Sequence, residues 1–332
     1  MSLLEVSQLR VDAREIPVVS EVSLTISAGE RVGLIGESGS GKTMAALAIM
    51  GLLPEGLTAR GSVLLDGVEL LGLPERRLSK LRGSRIAMVF QEPMTALDPL
   101  MRVGTQITDA IRLHERVTRR AARDRMLQLM GRVGFANAKE QARRFPHQLS
   151  GGQRQRIVIA IAIACGPALI LADEPTTALD VTVQAQVLAL LQDLVRDQGS
   201  ALLLISHDLA VVSSVCQRIV VMYGGRVVEA AATAELLAFP HHPYTDALLR
   251  TSQGIGADAD TLAGQLPTIP GAVPQLGLYP EGCVFRGRCP FEQERCQHVP
   301  EIRGRDHQVA CWFPLGPPTG RPAAAPFGQA KA

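Results

Sequence analysis

Aromatic residues are scarce in this sequence of 332 residues, where Phe, Trp and Tyr together make up 4% of the chain. A surface that stacks the bases of single-stranded nucleic acid is therefore not expected. Neither sign of charge is in excess, with 34 Lys and Arg against 32 Asp and Glu, so no basic face for nucleic acid or a membrane is indicated. The hydrophobic fraction of 46% predicts a globular chain with a sizeable core, in about two domains.

Long hydrophobic runs are also missing. The longest apolar stretch, Ile157 to Ala172, is shorter than the roughly 18 residues of a membrane-spanning helix, and Gly166-Pro167 interrupts it. We interpret this stretch as a buried helix followed by a buried strand. No basic segment precedes an apolar run near the N-terminus, so no signal peptide is expected and we predict a cytoplasmic protein.

The pattern of apolar residues changes along the chain. Up to about residue 90, short apolar runs alternate with turn residues and predict strands, whereas residues 104–134 have helical spacing. From Ile157 to Glu229, strands and helices alternate, which predicts an α/β fold with a parallel sheet covered by helices. Prolines after Pro240 predict a loop-rich segment, and residues 316–332 a disordered tail.

A glycine-rich segment between a predicted strand and a predicted helix has the pattern G-x-x-x-x-G-K-T. Backbone N–H groups of such a loop, with the start of the next helix, bind phosphates. The lysine contacts the β- and γ-phosphates, and the threonine hydroxyl binds Mg²⁺. The predicted nucleotide-binding residues are Gly36, Glu37, Ser38, Gly39, Ser40, Gly41, Lys42 and Thr43.

Two adjacent carboxylates follow the apolar run of residues 168–172. We predict that Asp173 holds Mg²⁺, directly or through water, and that Glu174 polarises an attacking water as general base. A strand that ends in Asp-Glu is by itself often only solvated. The phosphate-binding loop of residues 36–43 (the P-loop) favours the interpretation of Asp173 and Glu174 as catalytic-site residues.

The segment Leu149-Ser-Gly-Gly-Gln153 begins another predicted helix, for which Ser150 alone would be a suitable cap. By this pentapeptide the sequence resembles the ATP-binding cassette (ABC) family, in which it is the signature. The resemblance implies that this segment closes over ATP bound to an opposite subunit. The residues implied in that contact are Ser150, Gly151, Gly152 and Gln153, with Asp180 of the segment TALD at the interface.

Two further segments carry the same resemblance. Gln91 in VFQEP matches the family's Q-loop, which contacts Mg²⁺, the attacking water and the membrane partner. His207 in LLISHD matches the switch histidine, which contacts the γ-phosphate. The implied catalytic residues are Glu174, His207 and Gln91, and the implied Mg²⁺ ligands are Thr43, Gln91 and Asp173.

The sequence departs from the family at the adenine. Relatives usually place an aromatic residue before the P-loop to stack on the base, whereas here Ala13 occupies that place and no aromatic residue precedes Phe90. The guanidinium plane of Arg14 is a candidate substitute. We expect ATP to be distinguished from GTP less strongly than in relatives with the aromatic.

The resemblance also implies a domain organisation. A P-loop NTPase core, an N-terminal antiparallel β subdomain and an α-helical signature subdomain (about 92–160) would form an ABC ATP-binding domain over 1–238. Three later segments, HPYT at 242–245, IPGAVP and GCVFRGRCP, resemble the oligopeptide/dipeptide importer branch of the family. They imply a Cys-rich C-terminal extension over 239–315.

Four cysteines of this extension are candidate metal ligands: Cys283, Cys289, Cys296 and Cys311. Disulfides are not expected in cytoplasm, and the resemblance implies a [4Fe–4S] cluster. Two alternatives stay open, namely zinc, with His298 or His307 as substitute ligands, and plain reduced thiols. Cys165 and Cys216 lie in apolar elements and are interpreted as core residues.

The resemblance implies an ATPase subunit that powers a multi-subunit importer of di- and oligopeptides, bound to the cytoplasmic face of the inner membrane. Its implied partners are two transmembrane permease subunits, a second ABC ATPase subunit of the same or another chain and, indirectly, an extracytoplasmic solute-binding protein, with no nucleic acid. One alternative is another cargo, such as nickel, an opine or a sugar. The other is a soluble ABC ATPase in DNA maintenance, which is disfavoured because the 105 residues between Thr43 and Leu149 contain no long heptad repeat for a coiled coil.

Overall fold

The computed structural model describes residues 2–177, 179–253 and 268–316, so the predicted tail lies outside the described residues except for Gly316. The strands are β1 (Ser2–Ala13), β2 (Ile16–Ser27), β3 (Arg31–Ile35), β4 (Leu57–Leu65), β5 (Val68–Glu69), β6 (Ile86–Val89), β7 (Leu169–Asp173), β8 (Ala201–Ser206), β9 (Arg218–Tyr223), β10 (Arg226–Ala232) and β11 (Gln308–Val309). The helices are α1 (Lys42–Met50), α2 (Glu75–Leu81), α3 (Pro93–Ala96), α4 (Val103–His114), α5 (Arg119–Arg132), α6 (Ala138–Gln141), α7 (Gly151–Ala162), α8 (Val181–Gln198), α9 (Leu209–Val215), α10 (Thr233–Ala238) and α11 (Pro243–Gln253).

The N-terminal strands form an antiparallel four-stranded sheet in the order β2-β1-β4-β5. Along β1 and β2, buried apolar residues alternate with exposed polar ones over much of the length, as expected for a sheet with one face on the core. The pairing of β1 with β4 shifts register between Ser7 and Arg10, where Gln8 has a φ of 50°. The β subdomain that the family resemblance implied is present.

The larger sheet has seven strands in the order β11-β10-β9-β3-β8-β7-β6. Strands β9, β3, β8, β7 and β6 pair in parallel, whereas β10 and β11 are antiparallel at one edge. Every residue of β7 and β8 is buried, as expected for central strands of a parallel sheet that is covered on both faces. The predicted parallel sheet is confirmed. The antiparallel pairing of β10 and β11 at its edge was not predicted.

The helices α3 to α7 lie between β6 and β7 in the chain. The predicted helical segment 104–134 consists of α4 and α5, which residues 115–118 separate. Thr118 begins α5, because its hydroxyl oxygen accepts a hydrogen bond from the Ala121 N–H at 3.2 Å. The interpretation of residues 157–172 as helix then strand is confirmed, since α7 ends at Ala162 and β7 begins at Leu169.

The C-terminal segment differs from the sequence prediction at one point. Residues after Pro240 were expected to be loop-rich, but Pro243 begins the helix α11, where the missing backbone N–H of proline costs no hydrogen bond. Tyr244 and Phe285 are fully buried in the same hydrophobic core cluster as Tyr223 of β9. None of the described helices combines the length and the apolar character that crossing a bilayer requires.

Candidate functional site

The P-loop connects the buried strand β3 to α1 at the centre of the large sheet. Gly41, with a φ of 91°, lies just before α1, and a Cβ atom there would lie 2.8 Å from the carbonyl oxygen of Val18. Only glycine combines this φ with so close an approach of β2. The loop therefore passes directly against the N-terminal sheet.

Lys42 points back into the P-loop. Its Nζ donates to the carbonyl oxygens of Gly36 at 2.7 Å and Glu37 at 3.0 Å, and to the Ser40 hydroxyl at 3.3 Å. Burial lowers the pKa of Lys42, although the carboxylates of Glu174 and Asp173 oppose this shift. Because all its hydrogen-bond partners are neutral oxygens, the ammonium group is suited to bind an anion such as phosphate.

Thr43 and Asp173 lie together at the ends of α1 and β7. The Thr43 hydroxyl donates to Asp173 Oδ1 at 3.3 Å, and Asp173 is buried. Burial raises the pKa of Asp173, and the hydrogen bond from Thr43 opposes that shift. A hydroxyl and a carboxylate are the hard oxygen ligands that Mg²⁺ prefers, so the pair fits this ion.

Three side chains converge on the Glu174 carboxylate. One oxygen lies 3.0 Å from His207 Nδ1, and the other accepts hydrogen bonds from Gln91 Nε2 at 3.2 Å and from the Thr177 hydroxyl at 2.8 Å. Burial works to raise the pKa of Glu174, but the hydrogen bonds from His207 and Thr177 outweigh it and lower this pKa. The carboxylate is therefore ionised at neutral pH and can accept a proton or orient a water.

Glu174 also has an unusual backbone conformation. Its φ of 42° lies in the left-handed region, which side chains other than Gly, Asn and Asp adopt at a cost of about 1–3 kcal/mol. A residue kept in this conformation directs its side chain differently from a continuing strand. The strain coincides with the point where the carboxylate meets His207 and Gln91.

These groups surround one cavity of about 710 Å³. All eight P-loop residues line it together with Gln91, Glu174 and His207, and its apolar side consists of Val18, Met44, Leu248 and Leu276. The structure thus brings together the predicted P-loop, Gln91, Glu174 and His207, with Asp173 reached through Thr43. Thr177 was predicted only as the first residue of the interface segment TALD, and its hydrogen bond to Glu174, three residues earlier in the chain, was not predicted.

The signature residues do not line this cavity within the described part of the chain. Ser150 begins α7 with a reciprocal cap, in which its hydroxyl accepts from the Gln153 N–H at 3.3 Å and the Gln153 side chain accepts from the Ser150 N–H at 3.1 Å. Asp180 caps α8 through a hydrogen bond from the Val183 N–H at 3.0 Å. A Cβ at Gly152 would lie 2.5 Å from the Val183 side chain, so the signature and the start of α8 are neighbours.

The two positions considered for adenine binding, Ala13 and Arg14, also lie outside the cavity. Neither Ala13 nor Arg14 is among the described residues that line it. Arg14 lies at the turn between β1 and β2 with a φ of 57°. The proposed packing of its guanidinium group on the base therefore has no support from the shape of the cavity.

Sequence reasoning missed a contact between the P-loop and the C-terminal segment. Arg288 Nη1 donates to Glu37 Oε2 at 2.7 Å and to the Tyr223 hydroxyl at 3.0 Å, and Arg288 Nη2 lies 3.2 Å from Glu37 Oε1. The Glu37 N–H donates to the Tyr244 hydroxyl at 2.8 Å. Arg288 belongs to GCVFRGRCP and Tyr244 to HPYT, but nothing in those motifs indicates that they contact residue 37.

The four candidate cysteine ligands line one apolar pocket, with Phe285, Phe291 and Trp312. The Cys311 sulfur accepts a hydrogen bond from the Phe313 N–H at 3.4 Å, and the backbone N–H groups of Phe285 and Phe291 act to lower the pKa of Cys283 and Cys289 against the effect of burial. Burial raises the pKa of Cys289 and Cys311 to about 12, so their thiols are protonated when they bind no metal. No three of these sulfurs lie within 4.8 Å of one another in the described chain.

A second cluster of titratable groups lies next to α11. The buried Glu229 accepts hydrogen bonds from the backbone N–H groups of His241 at 2.6 Å and His242 at 2.9 Å, and it lies 2.6 Å from His307 Nε2. His307 Nδ1 lies 3.2 Å from Glu235, and the His307 ring stacks on that of His241 at 3.9 Å between centroids. Because parallel stacked rings cannot both direct in-plane nitrogens at one ion, we interpret the cluster as an ion pair.

Comparison with known proteins agrees with this arrangement. The ABC transporter family matches residues 19–177, and the C-terminal region of the oligopeptide/dipeptide transporter family matches residues 228–296. A probable D,D-dipeptide transport ATP-binding protein, DdpD of Escherichia coli, is 47% identical over 305 residues, which are 90% of this chain and 92% of that protein. The oligopeptide transport ATP-binding protein OppD of Salmonella typhimurium is 42% identical over 304 residues, 90% of each chain.

A solved structure with the same fold is the ATP-binding cassette MJ0796, in a dimeric post-hydrolysis state bound to ADP and Pi. It is 29% identical to this chain, with a TM-score of 0.62, and covers 69% of this chain and 98% of its own. The chain therefore belongs to the ABC transporter family, in the branch of oligopeptide/dipeptide transporter ATP-binding subunits, and it is an ATPase.

Proposed function

We propose that the 710 Å³ cavity is the ATP site and that its residues have the roles predicted from the sequence. The observation that carries the proposal is the convergence of Gln91 and His207 on the carboxylate of Glu174, beside the P-loop. In this proposal the backbone of residues 36–43 and Lys42 bind the phosphates, while Thr43, Gln91 and Asp173 hold Mg²⁺.

Hydrolysis requires a water in line with the γ-phosphate. Glu174 is ionised, so its carboxylate orients this water and accepts a proton from it as the water oxygen bonds to the γ-phosphorus and the bond to the bridging oxygen breaks, releasing ADP. The imidazole of His207 lies 3.0 Å from the same carboxylate and is exposed toward the cavity, where it can contact the γ-phosphate. Lys42 balances charge that spreads over the phosphate oxygens, and a Mg²⁺ ion held by Thr43, Gln91 and Asp173 would add positive charge there.

The signature acts, in this proposal, on ATP bound to a second cassette. Ser150 and the N–H groups at the start of α7 have the geometry of an anion site, but they lie outside the cavity of their own chain. Closure of two cassettes would add Ser150, Gly151, Gly152 and Gln153 to the partner's nucleotide, with Asp180 at the interface. The second cassette is either another copy or a related chain.

We further propose that hydrolysis powers peptide import. The support is the match of residues 228–296 to the C-terminal region of oligopeptide/dipeptide transporters, together with the names of the relatives. Two permease subunits in the membrane and an external solute-binding protein complete the proposed importer, with the chain on its cytoplasmic face. In this scheme residues 1–238 are the ATP-binding domain, about 92–160 its helical subdomain, and 239–315 the Cys-rich extension.

The proposed importer is tested by purifying the chain from gently solubilised native membranes and identifying the co-purifying proteins by mass spectrometry. We expect two permease subunits, a second cassette and a peptide-binding protein. A binding protein specific for nickel, an opine or a sugar would change the cargo. Recovery with nucleic acid or repair proteins in the soluble fraction would overturn the transporter and leave the ATPase unaffected.

We also propose that the cysteine pocket holds a [4Fe–4S] cluster through Cys283, Cys289, Cys296 and Cys311. The hydrogen bond from the Phe313 N–H to the Cys311 sulfur, and the backbone N–H groups that favour the charged forms of Cys283 and Cys289, would stabilise metal-bound thiolates. A single tetrahedral zinc, with Zn–S bonds of about 2.3 Å, needs sulfurs roughly 3.8 Å apart, closer than any three are here. Bound there, the cluster would supply a structural or redox-sensing group.

Protein purified without oxygen should contain iron and absorb broadly near ~400 nm. The Cys289→Ser variant should lose both signals. Zinc in place of iron, or neither metal, would contradict the proposed cluster.

A further inference from the structure

We propose that the turn of residues 275–278 places Leu276 alone on a wall of the ATP site, where its side chain packs against the purine base. This inference rests on the proposed ATP site and names the part of the chain that holds the base. It assigns the C-terminal segment a direct contact with nucleotide bound to its own chain.

The apolar residues of the cavity carry the first step. Val18 lies directly beside the P-loop, since its carbonyl oxygen is 2.8 Å from the Cβ position of Gly41. Leu248 of α11 and Leu276 line the same cavity. Leu276 is 45% exposed. An aliphatic side chain that is open to solvent on the wall of a polar cavity is positioned to pack on the apolar face of a ligand.

The second step is the position of the wall relative to the missing aromatic residue. A Cβ at Gly277 would lie 3.3 Å from the Ile16 side chain, so residues 275–278 pack against the turn between β1 and β2. Ile16 pairs with Ala13, the residue that occupies the place of the aromatic. The Leu278 N–H donates to the Gln275 carbonyl oxygen at 2.9 Å and holds this turn together. An apolar surface therefore lies next to the position where a stacking ring is absent.

The chemistry of the wall sets its specificity. Aliphatic carbon atoms contact the face of a purine by burying apolar area and make no hydrogen bonds to its edge. Adenine and guanine differ at their edges, so an apolar contact with the ring face binds the two bases about equally well. The expected weak discrimination between ATP and GTP follows from the same contact.

The test compares ATP with inorganic tripolyphosphate, which has the phosphate chain but no base. In calorimetric titrations with Mg²⁺, Leu276→Asn should weaken ATP binding about fivefold to tenfold, because burial of one aliphatic side chain is lost. Binding of tripolyphosphate should not change. Leu278→Asn is the matched control, because Leu278 is 69% exposed and does not line the cavity, and it should bind both ligands as the natural chain does.

Each outcome decides one point. Equal ATP affinity in Leu276→Asn and the natural chain would overturn the proposed contact of Leu276 with the base. So would a variant that loses the same affinity for ATP as for tripolyphosphate. A natural chain that binds neither ligand would instead overturn the proposed ATP site. Fluorescence of Trp312, the one Trp of the sequence, reports whether the C-terminal segment keeps its fold.

An independent observation supports a second inference: the geometry assigns Arg288 as a positioning residue for the P-loop. Arg288 is 7% exposed and binds both carboxylate oxygens of Glu37, while its Nε donates to the Pro270 carbonyl oxygen at 2.8 Å. Tyr244 holds the backbone N–H of the same Glu37. Residue 37 is thereby held at its backbone and at its side chain, and its carbonyl oxygen in turn accepts from Lys42.

Loss of Arg288 should affect the phosphate end of the site. Arg288→Gln should weaken ATP and tripolyphosphate binding by the same factor, about tenfold, as expected when a buried bidentate ion pair is broken. Glu37→Gln should have a similar effect, and the double variant should bind no more weakly than Arg288→Gln alone, because the Glu37–Arg288 ion pair is already lost in each single variant. This equal loss of affinity for both ligands distinguishes Arg288→Gln from Leu276→Asn, which should weaken ATP binding only.

The control is Arg286→Gln, in the same loop, where Arg286 pairs with Glu292 at 3.3 Å and does not contact the P-loop. It should leave both affinities unchanged. If Arg288→Gln lowers thermal stability but binds both ligands normally while folded, as Trp312 fluorescence reports, Arg288 has only a structural role. Additive losses in the double variant would also contradict the coupling.

Discussion

At the scale of single residues, the Glu174 carboxylate is the centre of the site. Its low pKa has an identifiable cause in the hydrogen bonds from His207 and Thr177, which outweigh the effect of burial. The same bonds fix the direction of the carboxylate. A general base of this kind acts through its position and its charge, and either can be removed separately.

Replacing Glu174 by Gln keeps the shape of the side chain and removes its charge. We expect ATP binding to persist and hydrolysis to fall by about 10²–10⁴-fold, the range for loss of a general base. Steady-state phosphate release and equilibrium binding measure the two effects. Glu115→Gln removes a carboxylate that pairs with Arg125 away from the cavity, and it should leave both unchanged. Hydrolysis near the natural rate would mean that another group activates the water.

His307 provides a prediction about pH. The hydrogen bond to Glu229 is the largest cause of a raised pKa for His307, with burial opposing it. A raised pKa in the folded state contributes stability that is complete below pH 6.5, the ordinary value, and is lost as pH rises through the folded-state value. Thermal unfolding should therefore show a decline in stability above pH 6.5 that His307→Gln removes.

Acidic pH tests Glu229, the ion-pair partner of His307. Burial works to raise the pKa of Glu229, but hydrogen bonds from His307 and neighbouring groups lower it, so its contribution is lost as pH falls below 4.5. The exposed His298 of the same segment, changed to Gln, is the control for His307. An unaltered pH profile in His307→Gln would contradict the ion pair.

At the scale of elements, periodicity and motif context predicted most of the strands and helices around the site. The helix-to-strand interpretation of residues 157–172 held because Gly166 and Pro167 mark the break. The helix α11 was not predicted, because prolines after residue 240 favoured loops and Pro243 happens to lie at a helix start. Contacts between distant residues could not be predicted either, because the ion pair of Glu37 and Arg288 joins residues 251 positions apart.

The start of α7 allows its structural and functional roles to be separated. Ser150→Ala should lower the free energy of unfolding by about 1 kcal/mol through loss of the helix cap. It should leave ATP binding intact and reduce hydrolysis tenfold or more, if the serine contacts a partner's nucleotide as proposed. Chemical denaturation and phosphate release measure these effects.

Thr118→Ala removes the corresponding cap of α5, which lies outside the proposed sites. It should cost similar stability and leave hydrolysis unchanged. Equal hydrolysis in the Ser150 and Thr118 variants would mean that the signature serine is only a cap.

At the scale of the whole molecule, the signature residues of the described chain lie outside its P-loop cavity. A site that needs both must form between two cassettes. The specific rate of ATP hydrolysis should therefore rise with the concentration of the isolated chain, whereas ATP affinity measured on Glu174→Gln at low concentration should stay constant. Activity measurements over a wide dilution series provide the test. A specific rate independent of concentration would show that one chain is sufficient.

The strand β11, which pairs with β10 through residues 308 and 309, has a consequence for protein engineering. It covers part of the sheet edge, while Phe285 packs edge-to-face on Tyr223 at 5.3 Å. A cassette shortened at residue 240 would lose both and expose an unpaired strand beside buried aromatic rings, a combination that promotes aggregation. Hybrid transporters built by exchanging motor subunits should therefore exchange the chain through residue 315.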